Sequence, residues 1–131
     1  MKKVFAALMI VIVASAFSAE KSLKGTWEYA GGIYNGKKDP APTDFSMQRK
    51  YQKGHFEAFA IEQGETPVKY ETGDYMLKGD SCIETQTYSS QPTKLLGIPV
   101  HYRYQIRNDS LVLKGILPTG MIVVEYWKRV R

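Results

Sequence analysis

Alternating apolar and polar residues fill most of the chain after residue 22, and this period of two is typical of β-strands that bury one face. Turn-forming pairs divide the pattern into short segments, among them Lys53-Gly54, Gly79-Asp80 and Asn108-Asp109. No segment of this region carries the longer period of an amphipathic helix. The pattern therefore predicts an all-β fold, an antiparallel up-and-down β-barrel of about eight strands.

The predicted strands leave two irregular segments and one ambiguous face. Residues 30–43 and 89–98 are rich in Gly, Pro and polar residues, so we predict loops there. Phe56 and Phe59 fall on opposite faces of one strand, and the inward face of that strand and of the strand over residues 81–88 stays open. The strands are expected over residues 23–29, 44–52, 55–63, 68–78, 81–88, 99–107, 110–116 and 121–130.

The first residues predict export. Lys2 and Lys3 precede an apolar run over residues 4–14, and small residues follow up to Ala19, which is the order of a secretory signal peptide. The run is shorter than the roughly 20 residues of a membrane-spanning helix. We predict a signal peptide over residues 1–19, with the cleavage position open between Ala16 and Ala19, and a barrel domain over residues 20–131. The expected location is secreted or periplasmic, with no transmembrane segment after cleavage.

Charge and cysteine content narrow the class of partner. The formal net charge is +5, and loss of Lys2 and Lys3 lowers it by two, to +3. Basic and acidic residues are interspersed rather than gathered in a basic stripe, so no nucleic-acid partner is expected. Cys82 is the single cysteine, which excludes a disulfide within the chain and leaves no cysteine near the cleavage region for a lipid anchor.

Motifs for catalysis, metal or cofactor binding do not stand out. His55 and Glu57 share a strand face, but two ligands do not make a zinc site. No nucleophile elbow, phosphate loop or paired-carboxylate motif is present. We therefore predict no catalytic residues, no metal and no cofactor, and an enzyme is the least favoured class.

The first and last predicted strands carry a recognisable pair of motifs. Gly25-Thr26-Trp27 on the first strand, with a basic residue on the last, resembles the closing signature of lipocalins. More of the chain resembles a family of small secreted bacterial lipocalin-like domains of unknown function. That resemblance covers nearly all residues after the signal peptide, and its strongest blocks lie at residues 23–27, 73–80, 84–90, 96–97 and 125–130.

The resemblance implies a lipocalin-like, calycin-type barrel and export, and it implies no known activity. The chain is shorter than full lipocalins and lacks the helix that follows their last barrel strand, so a large ligand cavity is not implied. For Gly25, Trp27 and Arg129 the implied role is structural closure of the barrel. A guanidinium over the Trp27 indole gains cation–π energy and can also donate to backbone carbonyls. Trp127 shares the Arg129 face and competes for this contact.

Candidate ligand contacts lie on the faces predicted to point inward. Arg49 alternates in phase with Phe45 and Met47, and three roles stay open for it: a ligand carboxylate such as that of a fatty acid, an internal ion pair with Glu57 or Glu84, or a solvated rim position. Tyrosines supply walls that are apolar in body and polar at the tip. The tyrosines predicted to face inward are Tyr29, Tyr51, Tyr75, Tyr102, Tyr104 and Tyr126.

Two functions follow from these residues. The first is an exported barrel that binds a small apolar, fatty-acid-like ligand in its interior. Its ligand contacts would be Arg49, Tyr51, Tyr102, Tyr104 and Tyr126. The alternative is a protein-interaction or inhibitor module that acts through its loops over residues 30–43 and 89–98 and has a packed interior.

Overall fold

The computed structural model describes residues 22–131, so the predicted signal peptide and its cleavage position lie outside the described residues. Within residues 22–131, nine strands form one antiparallel sheet. The strands are β1 (Gly25–Tyr34), β2 (Lys37–Asp39), β3 (Ser46–Gln52), β4 (His55–Ile61), β5 (Val68–Lys78), β6 (Ser81–Ser89), β7 (Pro99–Arg107), β8 (Ser110–Ile116) and β9 (Ile122–Arg129). Alternating burial is clearest on β6, β7 and β8.

The sheet closes on itself because β1 pairs with β9 as well as with β3. The strand order from β3 to β9 follows the chain, so β1 and β3 to β9 form a closed up-and-down barrel of eight strands. This confirms the predicted all-β barrel, and it is the architecture of calycin-type, lipocalin-like barrels. Among residues 22–131 there is no helix long and apolar enough to cross a membrane.

The segment over residues 30–43 is more regular than the sequence pattern predicts. β1 continues to Tyr34 and turns through Asn35-Gly36, both with positive φ (51° and 81°), into the short strand β2. The tip is held because Asn35 Oδ1 accepts from the Ile122 backbone N–H at 2.8 Å. A bulge between Tyr29 and Gly31 re-aims the second half of β1, which pairs with β2 instead of β3. The predicted loop therefore begins only after Asp39.

The two ends of the barrel differ in their connections. One end carries residues 22–24 and the tight turns at 53–54, 79–80 and 108–109, and we call it the closed end. The open end carries the turn at 35–36 and the loops at 40–45, 62–67, 90–98 and 117–121. The most completely buried large side chains lie toward the closed end or in the middle of the barrel: Trp27, Tyr51, Phe56, Leu23, Leu111, Leu113 and Cys82.

Regular alternation along β4, which pairs with β3 without a shift, decides its ambiguous face. Phe56 and Ala58 point into the barrel and are 1% and 0% exposed. The pairing of β4 with β5 shifts between Ala58 and Phe59, and Phe59 lies outside with the Lys69 ammonium 5.8 Å from its ring centroid. On β6 the inward face carries Cys82 and Glu84, both buried.

Candidate functional site: a polar cluster inside the barrel

Arg49 lies in the middle of the barrel, on the inward face of β3, between Trp27 of β1 and Ala58 of β4. Its side chain is buried, and two carboxylates hold it. Nη1 donates to Glu84 Oε1 at 2.8 Å, and Nη2 donates to Glu71 Oε1 at 2.9 Å. Of the three roles left open for Arg49, the structure therefore has the internal ion pair.

The partners of Arg49 are only partly those that the sequence suggested. Glu84 is one of the two predicted acids, whereas Glu57 lies outside the barrel and pairs with Lys69 at 2.6 Å. Glu71 pairs with Ala58 and alternates in phase with Tyr75, which was predicted to face inward. This phase is the signal that could have found it.

The Arg49 guanidinium is also surrounded by aromatic groups. It lies 4.7 Å from the Phe56 ring centroid and 5.4 Å from that of Trp127. Tyr51 accepts from Arg49 Nη1 at 3.1 Å and donates to Glu84 Oε2 at 2.5 Å. Burial raises the pKa of the Tyr51 phenol, so the phenol stays a donor. Burial alone would lower the pKa of Arg49, but Tyr51, Glu84 and Glu71 raise it above its usual range.

Glu125 is a second interior acid, on β9, and sequence reasoning did not single it out. It alternates in phase with Val123 and Trp127, which are buried, and this phase is the signal that could have found it. The Tyr34 hydroxyl donates to its Oε2 at 2.8 Å. Among the described residues, no basic nitrogen lies within ion-pair distance of its carboxylate. Burial raises the pKa of Glu125, partly offset by Arg49 and by the Tyr34 hydrogen bond.

Three buried polar atoms of the interior have no hydrogen-bond partner among the described residues: Arg49 Nε, Gln86 Oε1 and Trp127 Nε1. Gln86 uses its amide nitrogen to donate to Glu71 Oε2 at 2.8 Å, which leaves its oxygen unused. The Trp127 indole nitrogen lies near Glu125 and helps to lower the pKa of that carboxyl, but it makes no hydrogen bond of normal geometry. Two donors and one acceptor thus remain unsatisfied inside the barrel, which is uncommon in folded proteins.

A chain of hydrogen bonds links this interior to strand β2. Asp39 of β2 accepts from the Tyr29 hydroxyl at 3.2 Å, and the Tyr29 and Tyr34 hydroxyls lie 2.9 Å apart. Each phenol has one proton, so Tyr34 donates to Glu125 while Tyr29 donates either to Tyr34 or to Asp39. The row of polar groups runs from the surface acid Asp39 to the interior acid. Burial raises the pKa of Tyr29 and of Tyr34, so both phenols remain protonated and can act as donors.

The predicted tyrosines separate into two groups. Tyr51 lies in the core, and Tyr102 and Tyr104 are partly buried against it. Tyr126 lies on the outer face of β9 and is 41% exposed, so the prediction that it faces inward needs correction. Tyr126 borders an outer groove of about 530 Å³ beside β2. The reason is the period of two: Trp127 occupies the inward phase of β9, and adjacent residues cannot share it.

The three predicted closure residues meet where β1 and β9 pair. Trp27 is fully buried and donates its indole N–H to Leu23 O at 2.9 Å. The Arg129 guanidinium lies 4.2 Å from the Trp27 ring centroid and donates to the Ser22 and Lys24 carbonyl oxygens at 2.8 and 3.1 Å. At Gly25, φ is 126° and a Cβ would lie 2.9 Å from Arg129 Nη1, so a side chain there would be strained and would crowd the guanidinium.

The remaining reactive residues form no centre of their own. No group of three or more His, Cys, Asp or Glu side chains within residues 22–131 is placed to hold a metal ion. His55 lies 3.4 Å from Asp74 at the surface. Cys82 is buried, and its thiol donates to Glu84 Oε2 at 3.6 Å. Burial and the Glu84 carboxylate raise the pKa of this thiol, which makes it a weak nucleophile.

The fold and site together describe a closed eight-stranded barrel with a charged and incompletely paired interior. No family model matches the chain, and no curated protein matches it. Among solved structures, an asparagine-to-alanine mutant of the fluorescent protein UnaG is similar, with 13% identity, 83% of this chain and 96% of that chain covered, and a TM-score of 0.43. An asparagine-to-glutamine mutant of UnaG has 16% identity, 82% and 96% coverage, and a TM-score of 0.42. The architecture stated above depends on the strand pairing alone.

Proposed function

We propose that this chain is an exported barrel that binds a small, largely apolar molecule in its interior. The observation that carries the proposal is the set of unpartnered polar atoms on Arg49, Gln86 and Trp127, which all belong to inward-facing side chains. Ligand sites are mostly apolar with a few polar groups that orient the ligand, and this interior has that composition.

Partial exposure of two inward-facing residues supports space for a ligand. Glu125 and Tyr102 face the barrel interior, yet each is only half-buried. A small residue, Ala60, lies on an inward position beside Met47 toward the open end. An eight-stranded barrel is wide enough to enclose one small ligand.

Entry at the open end is part of the proposal. The loops and strand ends there expose apolar side chains, whereas tight turns cover the closed end. An apolar rim would favour transfer of an apolar molecule out of water. The exposed apolar residues at this rim are Val68, Leu96, Ile98, Ile116, Met121 and Ile122.

Export is proposed from the sequence of residues 1–19, and membership of the secreted lipocalin-like family from the blocks at residues 23–27 and 125–130. Export is tested by the intact mass of the protein recovered outside the cytoplasm. Removal of 16 to 19 residues is the expected result. A mass that retains the first residues would contradict the predicted cleavage.

Ligand binding is tested with the neutral fluorescent dye Nile red and with native mass spectrometry of protein purified without detergent. Ala60→Phe would fill the interior beside Met47, whereas Gln105→Phe adds the same ring to the outer face of β7. Binding of the dye by the wild type and the Gln105 variant, and its loss in the Ala60 variant, is expected. Equal binding by both variants would place the dye on the surface and contradict an interior site.

The second candidate is an interaction module that acts through its loops. The exposed apolar side chains of the open end favour it, since such patches also mark protein interfaces. The same dye experiment separates the two. A wild type that binds no dye and no copurified small molecule, while Leu96→Asp and Ile122→Asp abolish capture of a partner, would favour the interaction module.

A further inference from the structure

The acids of the barrel interior outnumber its bases. Arg49 is the interior base among the described residues, and Glu71 and Glu84 already pair with it. Glu125 is a third inward acid, and it has no basic partner within ion-pair distance among the described residues. The interior therefore has a net negative charge, and the charge stays negative even when Glu125 is protonated. This balance decides which ligand head group the interior can accept.

An added carboxylate would be the fourth acid in the same volume. Both terminal nitrogens of Arg49 already bind carboxylates of the chain, so a fatty acid would have to displace Glu71 or Glu84 to reach them. Charges interact strongly in a poorly solvated interior, so like charges there are mutually destabilising. The fatty-acid head group expected from the sequence is therefore disfavoured.

The unpartnered atoms specify what is missing. Arg49 Nε and Trp127 Nε1 can only donate, so they need an acceptor. Gln86 Oε1 can only accept, so it needs a donor. Arg49 and Trp127 are 8% and 4% exposed, so bulk water is not in reach of their unpaired nitrogens. The excess of acids would attract an ammonium group, but such a group has donors and no acceptor, so it would leave both nitrogens unpaired and place its charge beside the Arg49 guanidinium.

We infer that the interior binds a ligand with an uncharged head group that both accepts and donates hydrogen bonds, such as an alcohol or a primary amide, attached to an apolar body. This inference rests on the proposed function. The head group would lie among Arg49, Trp127 and Gln86, and the apolar body would extend past Tyr102 toward the open end. Tyr70 lies next to Glu71 on β5, and burial raises the pKa of its phenol, partly offset by Arg49.

The direct test compares octanol, octanoate and octylamine as competitors of Nile red on the wild-type protein. The three share one apolar body and differ only in the head group. Octanol is expected to bind at least about tenfold more tightly than octanoate, since charged groups change such contacts by about that factor. Octanoate or octylamine binding as tightly as octanol would overturn the inference and leave the proposed function intact.

Two variants examine the head-group site by itself. Glu125→Gln removes one acid and keeps an acceptor for Tyr34, so octanoate should bind several-fold more tightly while octanol changes little. Glu62→Gln removes an exposed loop acid and is the matched control. Trp127→Phe removes an unpaired N–H and should weaken octanol several-fold, whereas Trp27→Phe removes an N–H that Leu23 already satisfies.

The outcomes separate the inference from the function on which it rests. Unchanged octanoate affinity in Glu125→Gln and unchanged octanol affinity in Trp127→Phe, both folded by circular dichroism, would overturn the inference. Failure of Nile red and of all three octyl compounds to bind the wild type would overturn the proposed function, and the inference with it.

Discussion

The closed and open ends of the barrel are built from the same strands but differ in the length of their connections and in how completely their apolar side chains are buried. At the closed end, two-residue turns bring neighbouring strands together, and Trp27, Phe56 and Leu111 are at most 1% exposed. At the open end, long loops join the strands, and Ile116 and Ile122 are 66% and 55% exposed. Met76 and Leu77 are also exposed near the closed end, at 63% and 39%, so the contrast lies in the packed interior of the closed end. The open end keeps apolar surface around its rim at a cost in stability.

Arg49 and its partners Tyr51, Glu71 and Glu84, here called the Arg49 cluster, lie at the boundary between the two ends. Toward the closed end the neighbours of Arg49 are aromatic rings in full contact, such as Tyr51 and Phe56. Toward the open end its neighbours are Gln86 and Glu125, which retain unused polar groups or free surface. Substitutions on either side of this boundary should therefore differ in what they change.

The largest expected effect is on stability at the closed end. Trp27→Ala should lower the free energy of unfolding by about 3–5 kcal/mol, because it empties the volume under Arg129 and Leu23. Ile122→Ala at the open end should change it by less than about 0.5 kcal/mol. Urea unfolding followed by circular dichroism measures both. An equal decrease in the free energy of unfolding of both variants would show that the two ends do not differ in their contribution to stability.

An intermediate effect is expected at the boundary. The Glu84 carboxylate accepts hydrogen bonds from Arg49, Tyr51 and Cys82. Glu84→Gln removes its charge and replaces one acceptor oxygen with a donor NH2, so it should lower the free energy of unfolding by about 1–3 kcal/mol. Glu62→Gln in an exposed loop is the control, and should stay within about 0.5 kcal/mol of wild type. A Glu84 variant as stable as wild type in urea would show that the cluster contributes little to the closed end.

A smaller loss is expected where the barrel closes. Arg129→Ala removes the stack on Trp27 and two hydrogen bonds to carbonyls, and should lower the free energy of unfolding by about 1–2 kcal/mol. Arg129→Lys keeps a cation over the ring but cannot donate to both carbonyl oxygens as the guanidinium does. Its free energy of unfolding in urea should therefore lie between those of the wild type and Arg129→Ala. A lysine variant less stable than the alanine variant would argue against this division.

The last prediction leaves the folded protein unchanged. Cys82 lies at the closed end with a raised thiol pKa, so a maleimide should label it far more slowly than a free thiol at neutral pH. A cysteine introduced at Ser90, in an exposed open-end loop, should be labelled at the rate of a free thiol. Mass spectrometry of timed samples follows both sites. Rapid labelling of Cys82 in native buffer would indicate that the closed end opens.

Sequence alternation predicted most of the barrel, because a strand with one buried face has a period of two. It failed where the period breaks. The bulge at Tyr29 and Gly31 lies where β1 extends into a predicted loop, and the pairing of β4 with β5 shifts after Ala58, where Tyr70 is the extra residue on β5. Glycine in a strand can mark a bulge, and Gly31 lies at the first one with a φ of 121°, but the Gly-rich segment that contains it was read as a loop.

The candidate site was predicted less completely than the fold. Arg49 could be predicted inward from its phase, and Glu84 was one of its two candidate partners although the inward face of its strand was left open. Tyr126 was assigned inward although Trp127 beside it shares the phase of Arg129, and only one of two neighbours can face the interior. Reading β9 from Arg129 would have placed Trp127 and Glu125 inside. The unpaired atoms could not be predicted, because they depend on three-dimensional distances.

The pairing of β1 with β9 also has a consequence for how the chain folds. Arg129 reaches the carbonyl of Lys24 across 105 positions of sequence, so closure joins the most distant strands of the domain. Contacts of such separation carry a large loop-closure entropy and slow the rate of folding. Neighbouring hairpins can form as soon as their residues leave the ribosome, whereas the pairing of β1 with β9 forms only after β9 has been synthesised. Until then, both β1 and β8 present an unpaired edge on which the chain is most prone to aggregate.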